Sequence, residues 1–108
     1  MDYYAKEISI KELYNLIETQ KIDLNPSYQR NFIWSPDNQK ELIDTILNSY
    51  PLPNFFLYQK SDDSYEMVDG QQRSKTIYRF IKGDITSSKA FGKKNFEQID
   101  KVKFLNYR

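Results

Sequence analysis

The five residues Asp69-Gly70-Gln71-Gln72-Arg73 gather the most chemistry in the chain: a carboxylate, a glycine, two primary amides and a guanidinium in unbroken succession. Tyr65 to Val68 ahead of them has strand character. Gln71 to Lys82 has a helical pattern, with Ile77, Phe80 and Ile81 apolar and Gly83 placed to end it. A strand, a tight turn and a helix therefore meet at the motif. The first amides of such a helix lack intrahelical partners, the helix dipole adds partial positive charge, and a glycine lets a ligand approach the backbone. That is an anion site. Arg73 can fork two donors onto phosphate oxygens, while Gln71 and Gln72 can orient a water or hold a sugar or base edge. Asp69 can hold Mg²⁺ between itself and phosphates, since that ion takes one or two carboxylates together with substrate oxygens. Read as structure alone, the same string is an aspartate cap, a glycine turn and an arginine ion pair. It is not a Walker A loop, which needs a longer glycine-rich span ending in Gly-Lys-Ser/Thr.

A second cluster runs from Asn25 to Trp34 and carries Tyr28, Gln29, Arg30, Phe32 and Trp34 with no clean period. It reads as a loop in which Phe32 and Ile33 close the core. Arg30, held by aromatic neighbours, is placed to give a second fork to a phosphate, with Tyr28 and Gln29 beside it.

The elements that must position these residues follow from local signals. Glu7 to Ile10 has strand character, and Ser9-Ile10-Lys11-Glu12 fits a capping box that starts a helix with Leu13, Leu16 and Ile17 on one stripe. Lys21 to Leu24 alternates like a strand and ends at Asn25-Pro26. Ser35-Pro36-Asp37 opens another helix, expected to run to about Ser49, with Leu42, Ile43, Ile46, Leu47 and Tyr50 facing the core. Pro51-Leu52-Pro53 is a stiff exit from it. Asn54 to Gln59 and Tyr65 to Val68 form a hairpin about the turn Ser61-Asp62-Asp63-Ser64. Beyond Gly83, Phe91, Phe96 and Ile99 anchor a short helix, and Lys101 to Tyr107 reads as a final strand. The expected architecture is a small α/β (α+β) domain, residues 1–108, with a core of about 7–83 and a basic extension, 84–108.

Composition limits the chemistry. With no cysteine and no histidine among 108 residues, disulfides, thiolate and imidazole catalysis, zinc and haem sites are removed. Carboxylates, amides, hydroxyls, Lys and Arg remain. The charge is unevenly spread: through Gln72 there are 6 basic and 12 acidic residues, and from Arg73 onward 10 and 3. The basic third is a candidate face for DNA, as well as a solvated surface. No apolar run reaches the length of a membrane helix, and the N-terminus lacks the regions of a signal peptide, so a soluble, cytoplasmic protein with no membrane partner is expected.

Four blocks in order, Pro26-x-Tyr28-Gln29-Arg30-x-Phe32-x-Trp34, Leu42 to Leu47, Pro51-Leu52-Pro53 and Val68 to Ile77, resemble the domain-of-unknown-function 262 family. This is the Asp-Gly-Gln-Gln-Arg branch of the ParB/sulfiredoxin-like superfamily, which includes the S half of GmrSD-type modification-dependent restriction systems. The resemblance covers about Ile8 to Gly83. It implies a domain that binds a nucleoside triphosphate at Asp69, Gly70, Gln71, Gln72 and Arg73 and supports its hydrolysis with Mg²⁺, gating a nuclease domain or subunit that acts on DNA in phage defence. Arg30 lies where the ParB-like Asn-Pro-x-Gln-Pro-Arg motif has a second phosphate-facing arginine, although Asn-Pro-Ser-Tyr-Gln-Arg stands here. Ser74-Lys75 replaces the family's common Leu-Thr. The competing expectation is a domain that binds or nicks the DNA backbone with the same anion site. Cleavage of double-stranded DNA by this chain alone is not expected: Asp69 is the acid beside the expected phosphate site, with Asp44 on the preceding helix as a second.

Overall fold

The computed structural model describes residues 3–6, 8–23, 34–52, 55–61 and 64–107, by their backbone alone at 3–6, 55–57, 59–61 and 68–69. Four strands form one mixed sheet in the order β1-β3-β4-β2. The hairpin of β3 (Phe55–Ser61) and β4 (Ser64–Asp69) is its centre, as the sequence predicts, with Leu57 opposite Met67 and Gln59 opposite Tyr65. β1 (Tyr3–Lys6) runs antiparallel along β3, and β2 (Ile22–Asp23) runs parallel along β4, fastened where the Tyr65 N–H donates to the Lys21 carbonyl at 2.8 Å.

Phe56 pairs with Asp69 but Leu57 pairs with Met67, so Val68 is an extra residue in β4. A bulge of this kind bends its strand, and here the bend falls one residue before the strand ends.

The first strand comes earlier than the expected span of Glu7 to Ile10. Ser9 stops the extended stretch: its Oγ accepts from the Glu12 N–H at 3.2 Å while Glu12 Oε1 accepts from the Ser9 N–H at 3.1 Å. Ile10 is accordingly the first residue of α1 (Ile10–Glu18). Helix α2 (Pro36–Leu47) has Ser35 as its cap, Pro36 in its first turn and Asp37 near its positive end. It stops at Leu47, and Ser49 turns the chain in the left-handed region at φ 59°. The helical phase is broken before Tyr50, which is 59% exposed rather than facing the core.

Helix α3 (Gln71–Lys82) ends at Gly83, whose φ of 88° suits glycine there. It crosses the interior, and its buried face carries Ile77 and Phe80 together with Ser74 and Thr76. The core extends past Gly83. Phe96 and Phe104 pack on Phe80 with ring centroids 6.0 and 5.1 Å away. The segment Lys101 to Tyr107 is a helix, α4 (Lys101–Leu105), and not the expected strand. Asp100 caps it by accepting from the Lys103 N–H at 3.1 Å, and Phe104 turns into the core. The Tyr107 carbonyl then accepts from the Ile10 N–H at 3.0 Å, joining the end of the described chain to the start of α1.

Candidate functional site

The motif occupies the junction of β4 and α3. Gly70 stands between them at φ 109°, a left-handed conformation that residues with a Cβ adopt at a cost, and its carbonyl accepts from the Ser74 N–H at 2.9 Å. It brings no side chain to cap the first amides of α3, and that first turn holds no acidic residue. The positive end of the helix is thus not neutralised from within its own turn.

Below the turn, Gln71 is buried and its Nε2 donates to the Met67 carbonyl at 2.7 Å. Ser74 Oγ donates to Met67 Sδ at 3.1 Å. These two contacts tie the first turn of α3 to the bulged strand, so the angle of strand to helix is fixed from beneath. Thr76 Oγ1 donates to the Gln72 carbonyl at 2.8 Å and occupies the buried side of the same turn.

Gln72 reaches the other way. Its Oε1 accepts from the Trp34 N–H at 3.2 Å, and the Trp34 carbonyl accepts from Gln39 Nε2 at 3.3 Å. Both polar groups flanking the Trp34 side chain are therefore held by glutamines from two different helices. Gln39 is 5% exposed and its Oε1 accepts in turn from Arg79 Nη1 at 3.4 Å. Sequence reasoning missed Gln39. Its signal was present, because it lies three and four residues ahead of Leu42 and Ile43 on the core-facing stripe of α2, where a buried polar group needs partners.

Arg73 is 9% exposed, not the exposed helical residue that its place in a first turn suggests. The reason is tertiary: α3 runs through the interior, so even its first turn is covered. The side chain lines a cleft of about 450 Å³ together with Trp34, Asn38, Glu41, Thr45 and Leu52. A guanidinium at a cleft wall beside the start of a helix can receive an oxyanion, and the indole of Trp34 in the same cleft can receive a flat ring.

Asp44 does not join this group: its Oδ1 accepts from the Ser88 N–H at 3.1 Å and serves the chain beyond α3. Tyr28, Gln29 and Arg30 lie outside the described residues, as does the carboxylate of Asp69. Among the described residues no three His, Cys, Asp or Glu side chains converge as a metal cluster would require. No helix among them is long and apolar enough to cross a membrane.

Fold and junction together define a small mixed α/β domain whose strand, glycine turn and helix open on a cleft walled by arginine and tryptophan. A family profile described as the GmrSD restriction endonuclease, N-terminal domain, matches residues 10–107, and the chain belongs to that family. No curated protein and no solved structure matches it significantly.

Proposed function

We propose that the chain binds a nucleoside triphosphate in the cleft between α2 and α3 and supports its hydrolysis, as a regulatory domain of a phage-defence restriction protein. The observation that carries this reading is the placement of Arg73: a nearly buried guanidinium on the wall of an open cleft, three residues after the left-handed turn at Gly70. Phosphate oxygens would meet the first amides of α3 and the fork of Arg73, and the base would lie along Trp34. Gln71 holds the turn against β4 and Gln72 holds the Trp34 amide; we assign Arg30, Tyr28 and Gln29 to the same nucleotide. Asp69 would hold Mg²⁺ with the phosphates, a role that one carboxylate and substrate oxygens can fill without a protein cage. The ion would supply charge neutralisation on the phosphates.

At a finer level we place the chain in the domain-of-unknown-function 262 family, the Asp-Gly-Gln-Gln-Arg branch of the ParB/sulfiredoxin-like superfamily, on the four sequence blocks. Nucleotide turnover would gate DNA cleavage in the cytoplasm by a nuclease domain or subunit. A second reading, in which the same anion site holds a DNA backbone phosphate for binding or nicking, draws on the excess of 10 basic over 3 acidic residues from Arg73 onward. Calorimetric titration of a triphosphate with Mg²⁺, and of duplex DNA separately, tests both. Triphosphate binding that is lost in Arg73→Lys is the expected result. DNA binding with the same Arg73 dependence and no nucleotide binding would replace the first reading by the second.

A further inference from the structure

Past α3 the chain forms a small closed loop over 87–94. Ser87 is fully buried, its N–H donates to the Lys94 carbonyl at 2.9 Å, and its Oγ accepts from the Lys94 N–H at 2.9 Å. The Ser88 carbonyl accepts from the Phe91 and Lys93 N–H groups, and Asp44 of α2 holds the Ser88 amide. Gly92 and Lys93 both sit in the left-handed region, at φ 81° and 51°. The loop is thus pinned at its neck and to α2, and its bend presents Lys89, Lys93 and Lys94.

Beside this loop, between the end of α2 and α4, lies a pocket of about 280 Å³. Ile46 and Phe104 form its buried floor, with Phe91 and Ile99 on its walls. Lys94, Lys103, Gln98 and Asp100 stand exposed at its rim. Lys82 and Lys101 are paired with Glu18 and Glu97, but Lys89, Lys93, Lys94 and Lys103 make no ion pair among the described residues. The cavity is apolar and aromatic inside, with lysines at its rim.

We propose that this pocket receives one base of a single-stranded nucleic acid, with the flanking phosphates on Lys94 and Lys103. A flat ring suits a cavity walled by Phe91 above the floor of Phe104, and stacking on aromatic side chains tolerates any base. Asp100 spends Oδ1 on the Lys103 amide, which leaves its second oxygen to accept from an amino or imino group of the base edge. An acidic protein segment would also match the lysines, but its carboxylates offer Asp100 no donor, whereas a base edge does. The strand must be unpaired at that point, because a base stacked inside a duplex cannot enter a cavity. This site is separate from the Arg73 cleft and does not depend on nucleotide binding there.

The test is fluorescence anisotropy on the 108-residue chain with a labelled single strand of about 15 nucleotides, long enough to cover one such site. A strand of the same length made wholly of abasic units and a polyglutamate peptide of similar charge are the comparison probes. The single strand should bind at about 50 mM salt and weaken as salt rises, as release of counterions requires. The abasic strand should bind at least about fivefold more weakly, in line with the measured worth of base stacking. The double variant Lys94→Glu, Lys103→Glu should lose at least about tenfold, given that each lysine neutralises a phosphate. Phe91→Leu, which keeps apolar bulk, should also weaken binding while thermal melting stays unchanged, and Arg73→Lys should leave it intact. Equal affinity for the abasic strand, capture of polyglutamate without the nucleic acid, no binding at low salt, or loss of binding in Arg73→Lys would each overturn the assignment.

Discussion

The Trp34 N–H lies 3.2 Å from Gln72 Oε1, joining the helix of the Asp-Gly-Gln-Gln-Arg motif to the residue that closes the segment 24–33. Since the Trp34 carbonyl is taken by Gln39 Nε2, the two helices grip the chain from both sides at one residue. A half-buried donor left without its acceptor costs about 1–3 kcal/mol, and a shared grip of this kind raises the stakes for each partner.

Gln72→Leu is therefore expected to destabilise the domain by about 1 kcal/mol, at the low end of that cost because Trp34 is only partly buried. The loss should be local. Trp34 is the sole tryptophan, so its emission should shift and become more accessible to a quencher, and its amide should exchange faster than those of α3. An unchanged tryptophan signal in a folded Gln72→Leu protein would mean that Gln72 does not hold Trp34.

Arg73→Ala is expected to abolish triphosphate binding and, because the residue is buried, to lower stability as well, by about 1–3 kcal/mol for a buried polar contact. Arg73→Lys separates the two effects: it keeps charge and bulk but cannot fork. Binding should fall at least about tenfold in a protein that melts near the wild-type temperature, the cost of one charged hydrogen bond. Arg30→Ala should weaken the same binding, with poor rescue by Arg30→Lys. Wild-type affinity in both lysine variants would remove forked phosphate contacts from the site.

On the outer face of α1 and α3, Tyr78 Oη donates to Glu18 Oε1 at 2.6 Å, and Lys82 Nζ pairs with the same oxygen at 3.1 Å. The Tyr78 bond first, and then Lys82, hold the Glu18 carboxyl below its ordinary range, while the bond to Glu18 pushes the Tyr78 phenol up. A lowered carboxyl stabilises the fold above its unfolded value, and the benefit is lost as pH falls through the lowered one. A raised phenol stabilises it below the ordinary tyrosine range, and this is lost as pH rises through the raised value. Urea midpoints measured across pH should show a shallower acid fall in Glu18→Gln and a shallower alkaline fall in Tyr78→Phe. Profiles parallel to wild type would show that this exposed trio contributes nothing.

The chain alone is expected to leave double-stranded DNA intact with Mg²⁺ or Mn²⁺ and any triphosphate. It has no histidine to act as a base, and a two-metal nuclease needs several acids converging within about 4 Å of paired ions. Asp44, the second acid in sequence terms, is committed to the Ser88 amide. Linear product from modified or unmodified plasmid, absent in Asp69→Ala, would reassign the site to DNA.

What the sequence reveals about this fold is what short-range chemistry decides. Ser9 with Glu12, Ser35 with Pro36, and Gly83 mark helix ends through contacts within a few residues, and the observed ends fall beside them. The segment after Lys101 misled because Val102, Phe104 and Tyr107 look strand-like, while the deciding contact, Asp100 to the Lys103 amide, also lies within reach of inspection. The burial of Arg73, the extra residue at Val68 and the grip of Gln72 on Trp34 depend on partners tens of residues away or on another strand. No local pattern encodes them. The candidate cleft follows the same division: its motif is legible, whereas its α2 wall of Asn38, Glu41 and Thr45 emerges only when two helices are set side by side.

The bond from the Ile10 amide to the Tyr107 carbonyl has a consequence for synthesis. A ribosome delivers α1 early, yet the group that completes its first turn arrives almost a hundred residues later. Phe104, which packs on Phe80 of the central helix, arrives equally late. Contacts between such distant points slow folding, because a long stretch of chain must be ordered before they form. The nascent chain should therefore remain protease-sensitive until Tyr107 has emerged, and a pause before that point would expose unfinished helices to chaperones rather than yield a folded intermediate.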